Sequence, residues 1–504
     1  MHLKILFNYK FYYDHNSDVK SAGRDALEHY FKSGFKENRK FKSDFDIFSI
    51  ASSFSELGLS PTKKEIVDYI YSSFPSIEFE LGDSTTAVFA VESILASQNP
   101  SYNDAIFSSL KSFSPPLHSY SFAPSKISRP RINLIVPTID DAAVYGGIKT
   151  AIDFLLWLVE NSRDDVDFRI ISQNDSNFGV RSMSMLKQYG FTADDPESDL
   201  KRSVISGENR DTKYISLRSS ELFITTFWAT SIALQYGLDR TNVGNVKVCH
   251  FLQDFEPNFY AASSSQVLCY SSLMDRRNSI FITNSISLKQ FVEAKMEMPA
   301  DCVAFTPRLN DQLRPQKSHK RENIILFYAR KNARNLFDIG KLSLNLFIRD
   351  NPDLAAEYTF WGIGDIQGEI SLENSQVLKC VGKLQIAEYR ELMSRAKVGL
   401  SLMHAPHPSY PPLEMAYNGL RVVTNDFDTR RMAGVHPNIA SAPYPHPECI
   451  SKLIAEQCNT AATKGNVAGL PFSGFMAGFE QSDTPFDALK SNASFLKAFN
   501  QFLA

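Results

Sequence analysis

Two doubly wound α/β domains behind a helical appendage are what this sequence predicts, and three observations carry the prediction. The chain has 504 residues, more than one compact domain holds at roughly 100–200 residues per domain. From residue 131 onward short apolar runs alternate with helical stretches, and the alternation restarts after a hinge near residue 308. Strands separated by helices imply parallel βαβ units. The first 111 residues show helical spacing instead.

In this first region, 1–111, Ala26, Leu27, Tyr30 and Phe31 recur at helical spacing, as do Ile66, Tyr69, Ile70 and Phe74. Leu27-Glu28-His29-Tyr30 and Ile66-Val67-Asp68-Tyr69 each follow a Gly and form a weak internal echo. Residues 112–130 read as a linker, because Pro115, Pro116, Pro124 and Pro130 stand among serines. The domain 131–307 opens on the apolar strand 131–136 and continues with a helix over 148–158. Further strands fall at 168–172, 221–226, 246–252 and 279–283. The hinge 308–322 is rich in Arg, Lys, Pro and Asn. In the domain 323–486, strands over 323–329, 357–361, 398–402 and 420–424 alternate with helices over 337–348, 387–396 and 412–417. The tail, 487–504, sets Leu489, Phe495, Leu496, Phe499, Phe502 and Leu503 on one helical stripe. Ligands of doubly wound sheets bind beyond the carboxyl ends of the strands, and two such sheets facing each other make a cleft.

Composition excludes several classes. Lys+Arg is 53 and Asp+Glu 56, so the net charge of −3 offers no footprint for nucleic acid. The longest apolar run, Ile152–Val159 with Asp153 inside it, falls far short of the roughly 20 residues that span a bilayer. The first ten residues lack the pattern of a secretory signal. Cys249, Cys269, Cys302, Cys380, Cys449 and Cys458 are scattered, which points to a reducing compartment without a disulfide framework or zinc site. A cytoplasmic location is expected.

Four constellations could carry chemistry. Tyr145-Gly146-Gly147-Ile148 opens a helix after a strand, where free N–H groups favour an anion; the same glycines also suit a plain tight turn. Arg330, Lys331 and Arg334, with Asn332 and Asn335, follow the strand 323–329. Cations at a helix start oppose its dipole, a conflict that a shared pyrophosphate would remove, although three solvated charges would look the same. The Pro-rich segment from His404 through His407, Ser409, Tyr410, Pro411, Pro412, Leu413 and Glu414 lies between two strands. Because the prolines have no N–H, a phosphate there would use the N–H groups of Ser409, Tyr410 and Leu413, and Glu414 would accept from sugar hydroxyls or simply suit the first helical turn. His404 and His407 have no third ligand nearby, so a metal is not expected. His250, Gln253, Asp254 and Glu256 cluster at a strand end before Pro257; Asp254 or Glu256 could act as general base, or all could merely shape the turn. The triplets Asp44-Phe45-Asp46 and Asp426-Phe427-Asp428 are discounted as metal sites. Arg314, Lys317, Lys320 and Arg321 could touch a membrane or be a solvated hinge.

The segment Leu400-Ser401-Leu402-Met403, followed by His407-Pro408-Ser409-Tyr410-Pro411-Pro412-Leu413-Glu414-Met415-Ala416, resembles the WsaF-like rhamnosyltransferases, GT-B glycosyltransferases related to the GT4 family. The likeness runs through Tyr328-Ala329-Arg330, Arg334-Asn335, Gly382-Lys383, Val422–Asn425, Gly146-Gly147-Ile148, Phe223–Trp228 and His250–Tyr260, over roughly residues 131–440. The first region is similar to a helical module found beside polysaccharide glycosyltransferases, on Tyr12-Tyr13, Asn16, Asp18-Val19, Gly23, Leu27, His29-Tyr30, Gly34, Arg39 and Phe45-Asp46. The resemblance implies a GT-B fold of two Rossmann-like domains facing a cleft. It implies a nucleotide-sugar donor held by Arg330, Lys331, Arg334, Asn335, His407, Ser409, Tyr410, Leu413 and Glu414, with Arg330 and Lys331 stabilising the leaving group. A glycan acceptor would lie at Gly146, Gly147, His250 and Gln253, with Asp254 or Glu256 as base. No metal or other cofactor is implied. L-Rhamnose on dTDP fits as donor, and a growing, lipid-linked cell-surface polysaccharide as acceptor, with peripheral contact to the membrane or to other assembly enzymes. Glu414 falls on the second glutamate of the family's pattern, but Pro406 stands where the first would be, which leaves the donor sugar open. Another GT-B nucleotide-sugar enzyme, such as an epimerase, and a non-catalytic assembly scaffold remain as alternatives.

Overall fold

The structure is a computed structural model. It describes residues 17–21, 109–125, 127–143, 146–175, 177–196, 200–208, 210, 213–239, 246–274, 280–296, 301–315 and 320–503. Most of the helical module, its echoed motif, the Asp44-Phe45-Asp46 triplet, Tyr145 and Lys317 lie outside these residues.

The described strands are β1 (Phe122–Pro124), β2 (Arg131–Val136), β3 (Asp167–Ser172), β4 (Thr192–Asp194), β5 (Arg202–Ser206), β6 (Ile215–Leu217), β7 (Glu221–Thr225), β8 (Lys247–Leu252), β9 (Ile280–Thr283), β10 (Cys302–Ala304), β11 (Glu322–Ala329), β12 (Thr359–Gly364), β13 (Gln367–Ser371), β14 (Val377–Val381), β15 (Ala396–Leu400), β16 (Arg421–Asn425) and β17 (Ile439–Ala442). From residue 147 on, the helices are α1 (Gly147–Asn161), α2 (Val180–Gln188), α3 (Trp228–Asp239), α4 (Ser264–Ser272), α5 (Ile286–Met296), α6 (Phe337–Asp350), α7 (Pro352–Ala356), α8 (Ile386–Arg395), α9 (Tyr410–Tyr417), α10 (Pro447–Lys464) and α11 (Ala493–Phe499). Two larger sheets share one plan: β10-β9-β8-β7-β2-β3-β5-β4 and β13-β14-β12-β11-β15-β16-β17. Each starts at an inner strand, β2 or β11, builds outward on one side, then returns to build on the other. The order reverses between β2 and β7 and between β11 and β15, the switch points where such sheets bind ligands. β11 pairs in parallel with β12 and β15, whereas β13 and β14 form an antiparallel hairpin at the edge that the apolar runs did not announce.

Every residue of β2 and β3 is buried, as a parallel strand covered on both faces requires. In β11 the alternation sorts side chains: Ile325 and Phe327 pack with Leu344 and Phe347 of α6, while Ile324 and Leu326 pack with Leu413 and Met415 of α9. Contacts divide the chain into two compact units, one of Met1–Val144, Ser162–Phe223 and Ala229–Lys247, the other of Tyr145–Asn161, Ile224–Trp228 and Val248–Ala504.

The first unit holds a buried ion network. Arg131 Nε donates to Glu221 Oε1 at 2.6 Å, Asn133 Nδ2 donates to Glu221 Oε2 at 3.3 Å, and Arg169 Nε donates to Asn133 Oδ1 at 2.7 Å. Arg131, Asn133 and Arg169 are fully buried and Glu221 is 1% exposed, so one carboxylate faces two guanidinium groups. Glu221→Ala is expected to cost about 3–5 kcal/mol of stability in urea unfolding, the usual result of stranding a buried charge. Residues 112–130 also differ from a free linker: Leu117 and Tyr120 are fully buried, and β1 pairs in parallel with β6.

In the second unit the tail is two short pieces rather than one helix. A 3-10 turn, Asp487–Ser491, gives way to α11 at Asn492, whose side chain accepts from Phe495 N at 3.1 Å. Phe486, Phe495 and Phe499 surround Phe154 of α1 at 5.2, 6.5 and 6.4 Å, and Trp157 Nε1 donates to Asp487 Oδ1 at 3.1 Å. Leu496 lies off the buried stripe, 40% exposed. The hinge cations are partly committed. Arg321 donates to the carbonyls of Met393, Ala396 and Asn418, and Arg314 pairs with Asp311 at 2.7 Å. Among the described residues no helix is long and apolar enough to cross a membrane.

Candidate active site

Within the second unit the carboxyl ends of β8, β9, β11, β15 and β16 supply a set of charged and polar side chains. After β11 come Arg330, Lys331 and, in a 3-10 turn (Ala333–Asn335), Arg334 and Asn335; Leu336 then adopts a left-handed φ of 49° and α6 begins. Asn335 is 2% exposed and its Nδ2 points at Met403 Sδ, 3.7 Å away, while the Arg334 carbonyl accepts from His404 N at 2.7 Å. These bonds tie the loop after β11 to the loop after β15.

The three cations are not equivalent. Arg330 Nε donates to both carboxylate oxygens of Asp365, at 3.1 and 3.0 Å. Lys331 is exposed and lies 5.8 Å from the Phe337 ring. Arg334 pairs with Asp254 and stacks on Phe259 at 4.2 Å. The Arg334–Asp254 pair links the loop after β11 to the loop after β8.

Beside that pair, Glu256 Oε2 accepts the Trp228 backbone N–H at 2.6 Å. Burial raises the Glu256 carboxyl to about 8; the Trp228 N–H opposes this, Asp254 adds to it and Arg334 opposes it. A carboxyl poised there can carry a proton near neutral pH. Gln253 Nε2 donates to the Gly147 carbonyl at 2.6 Å, and a Cβ on Gly147 would come within 3.1 Å of that amide. Packing against Gln253 therefore accounts for Gly147, while Gly146 is needed for its φ of +55°. His250 departs from the acceptor position expected of it. It is 1% exposed, stacked on Phe281 at 4.8 Å, with Nδ1 3.1 Å from Thr225 Oγ1, and burial lowers its pKa to about 4. As a residue within the strand, His250 sets its side chain off a face of the sheet and into the core, two residues before the strand's end.

The loop after β15 also differs from expectation. The Ser409 N–H, expected to meet a phosphate, donates to His407 Nδ1 at 3.0 Å. That bond holds Ser409 at a φ of 65°, a strained value for a side-chain-bearing residue. His407 is 7% exposed and burial lowers its pKa to about 4. α9 begins at Tyr410, two residues before the expected start, so Glu414 sits past the first turn and the helix dipole does not explain it. Burial raises Glu414 to about 7, with the nearby Tyr389 hydroxyl opposing the shift. Leu413 is fully buried and contributes only backbone. Tyr410 lies edge-on to His407 at 5.3 Å, with Asn284 and Thr150 beside its hydroxyl.

Several contributors were not singled out from the sequence. Arg430, fully buried, donates to the carbonyls of Met403 at 2.7 Å, Asn425 at 2.8 Å and His407 at 3.4 Å, and so braces the whole 403–409 loop. Ser287 Oγ donates to the Pro406 carbonyl at 2.9 Å. Asn284 follows directly on β9, so the strand-end rule that drew attention to Asp254 applies to it equally. Arg430 gives no such signal. Asp426 accepts from Met432 N at 2.8 Å and Ser441 Oγ at 2.6 Å, and Asp428 faces Lys295 at 3.5 Å. Among the described residues no group of three or more His, Cys, Asp and Glu could hold a metal ion.

The family models "WsaF, N-terminal domain" and "WsaF, C-terminal domain" match residues 131–286 and 323–455. The O-antigen biosynthesis protein RfbC of Myxococcus xanthus is 27% identical over 227 residues, which are 43% of this chain and 17% of the length of that relative. Among solved structures, TarM is similar with a TM-score of 0.48 at 9% identity, over 74% of this chain and 99% of its own. HepE from Anabaena, in complex with UDP and glucose, has a TM-score of 0.42 at 14% identity, over 74% and 95%. Sucrose-phosphate synthase from Thermosynechococcus elongatus has a TM-score of 0.42 at 14% identity, over 67% and 93%.

Proposed function

The chain belongs to the WsaF family, carrying its N-terminal and C-terminal domains, and on that premise we propose that it is a GT-B glycosyltransferase of polysaccharide assembly. The observation that carries the reading is the Arg334–Asp254 ion pair, which brings the cations expected at a donor to the carboxylates expected at an acceptor. The diphosphate of a nucleotide sugar competes for Arg334 with Asp254 and for Arg330 with Asp365, and Lys331 stands exposed beside them. Glu414 accepts from a sugar hydroxyl of the nucleoside. Glu256 takes the proton of the attacking acceptor hydroxyl. The acceptor oxygen bonds to the anomeric carbon as the bond to the donor phosphate oxygen breaks, and the guanidinium groups stabilise the departing diphosphate.

We take the donor to be L-rhamnose on dTDP and the acceptor a growing cell-surface glycan on a lipid carrier, handled at the cytoplasmic side without a metal. The support is the resemblance of the Pro-rich segment and the matched family, with the O-antigen role named for the Myxococcus relative in the same direction. A thermal-shift panel of dTDP, UDP and GDP tests it. At 100 times its dissociation constant a ligand adds about 2.7 kcal/mol. dTDP is expected to give the largest shift; no stabilisation by any of the three would sink the nucleotide-sugar reading.

A further inference from the structure

Aromatic rings crowd the carboxylates at the end of β8. Trp228 and Tyr260 meet edge to face with centroids 5.8 Å apart, and Trp228 Nε1 donates to the Tyr260 hydroxyl at 2.9 Å. Phe227 lies 5.9 Å from Trp228. Glu256–Phe259 form one 3-10 turn, in which side chains three apart eclipse, so Glu256 and Phe259 share a face. The Trp228 backbone N–H holds the Glu256 carboxylate, so one residue fixes both the rings and the acid. Phe227, Glu256, Phe259 and Tyr260 are each partly exposed. Rigid rings beside fixed polar groups are what an amphipathic ring ligand requires.

We propose that Phe259 and Tyr260, with Glu256, form an acceptor subsite for a pyranose ring, whose C–H face packs on the exposed parts of the two rings, beside the Arg334 guanidinium that stacks on Phe259, while one hydroxyl reaches Glu256. The proposal rests on the reading of the chain as a glycosyltransferase.

Saturation-transfer NMR on the whole protein tests it, with methyl α-L-rhamnopyranoside, methyl α-D-glucopyranoside and methyl α-D-glucuronopyranosiduronate as probes and dTDP, UDP and GDP in the same samples. Ring protons of at least one of the three glycosides should take up saturation. In Tyr260→Ala the sugar signal should fall about tenfold, a loss of about 1.4 kcal/mol, with the nucleotide signal unchanged, and Phe259→Ala should lose the sugar signal likewise. Phe259→Leu, which keeps apolar bulk without the ring, should lose the sugar signal too, and it serves if the alanine variant does not fold. Equal sugar signals in wild type and Phe259→Leu, or a nucleotide signal without a sugar signal, would each overturn the subsite while leaving the donor reading intact. Absence of both signals in the wild type would overturn the transferase reading with it.

Discussion

Glu256→Gln is expected to lower kcat about 100- to 10,000-fold while nucleotide binding persists, the range for removing a positioned proton carrier. The substitution keeps the shape and an acceptor for the Trp228 N–H, so the fold should survive it. The pH profile supplies a second readout. Glu256 ionises near 8 in the folded protein, so below that pH the carboxyl is mainly protonated and cannot accept the acceptor proton. In the wild type kcat should climb as pH rises toward and through about 8; in Glu256→Gln that limb should be missing. Stability runs the other way. The folded pKa lies above the ordinary carboxylate value, so the native state binds more protons than the unfolded chain between the two, and stability falls as pH rises through that window. Denaturant unfolding at pH 5 and pH 8.5 should show a smaller fall in Glu256→Gln than in wild type. A variant with wild-type kcat across the pH range would remove Glu256 from the chemistry.

Arg334→Met carries the second large effect. A preorganised cation facing developing negative charge is typically worth about 3–4 kcal/mol, so kcat/KM should fall about 100- to 1,000-fold. The same change strands Asp254, whose side chain is 7% exposed, and should cost about 1–3 kcal/mol of stability. Combining Arg334→Met with Asp254→Asn separates the two consequences: stability should recover and activity should not. Recovery of kcat/KM in the double variant would mean that the pair is structural. Wild-type kcat/KM in Arg334→Met would remove the donor assignment from this loop.

The parallel architecture was legible because it is written locally. Arg131–Val136, Asp167–Ser172 and Glu322–Ala329 are short runs with most of their residues buried, and the sequence between them has room for crossover helices. The hairpin of β13 and β14 was not, because β13 is largely exposed and β14 buries only Leu378 and Cys380, too few residues to announce a strand. The candidate residues were legible where they lie in the loop that follows a strand, as Asp254, Arg330 and Arg334 do. Partnership was not. That Arg330 meets Asp365 and that His250 stacks on Phe281 depend on which distant segments converge, and spacing within a segment does not encode it. Arg430 is the extreme case: a surface-type residue is fully buried because three carbonyls, two from the 403–409 loop and one from the end of β16, point at one spot.

The tail that covers α1 also sets a schedule for synthesis. Trp157 and Asp487, which share a hydrogen bond, are 330 positions apart in the chain. At a ribosomal pace of about 5–20 residues per second, roughly 15–70 s pass between the making of the helix and the making of its cover. For that interval Phe154 and Trp157 lack the three phenylalanines that later enclose them, and the nascent chain presents an aromatic face to whatever holdase chaperones attend the ribosome.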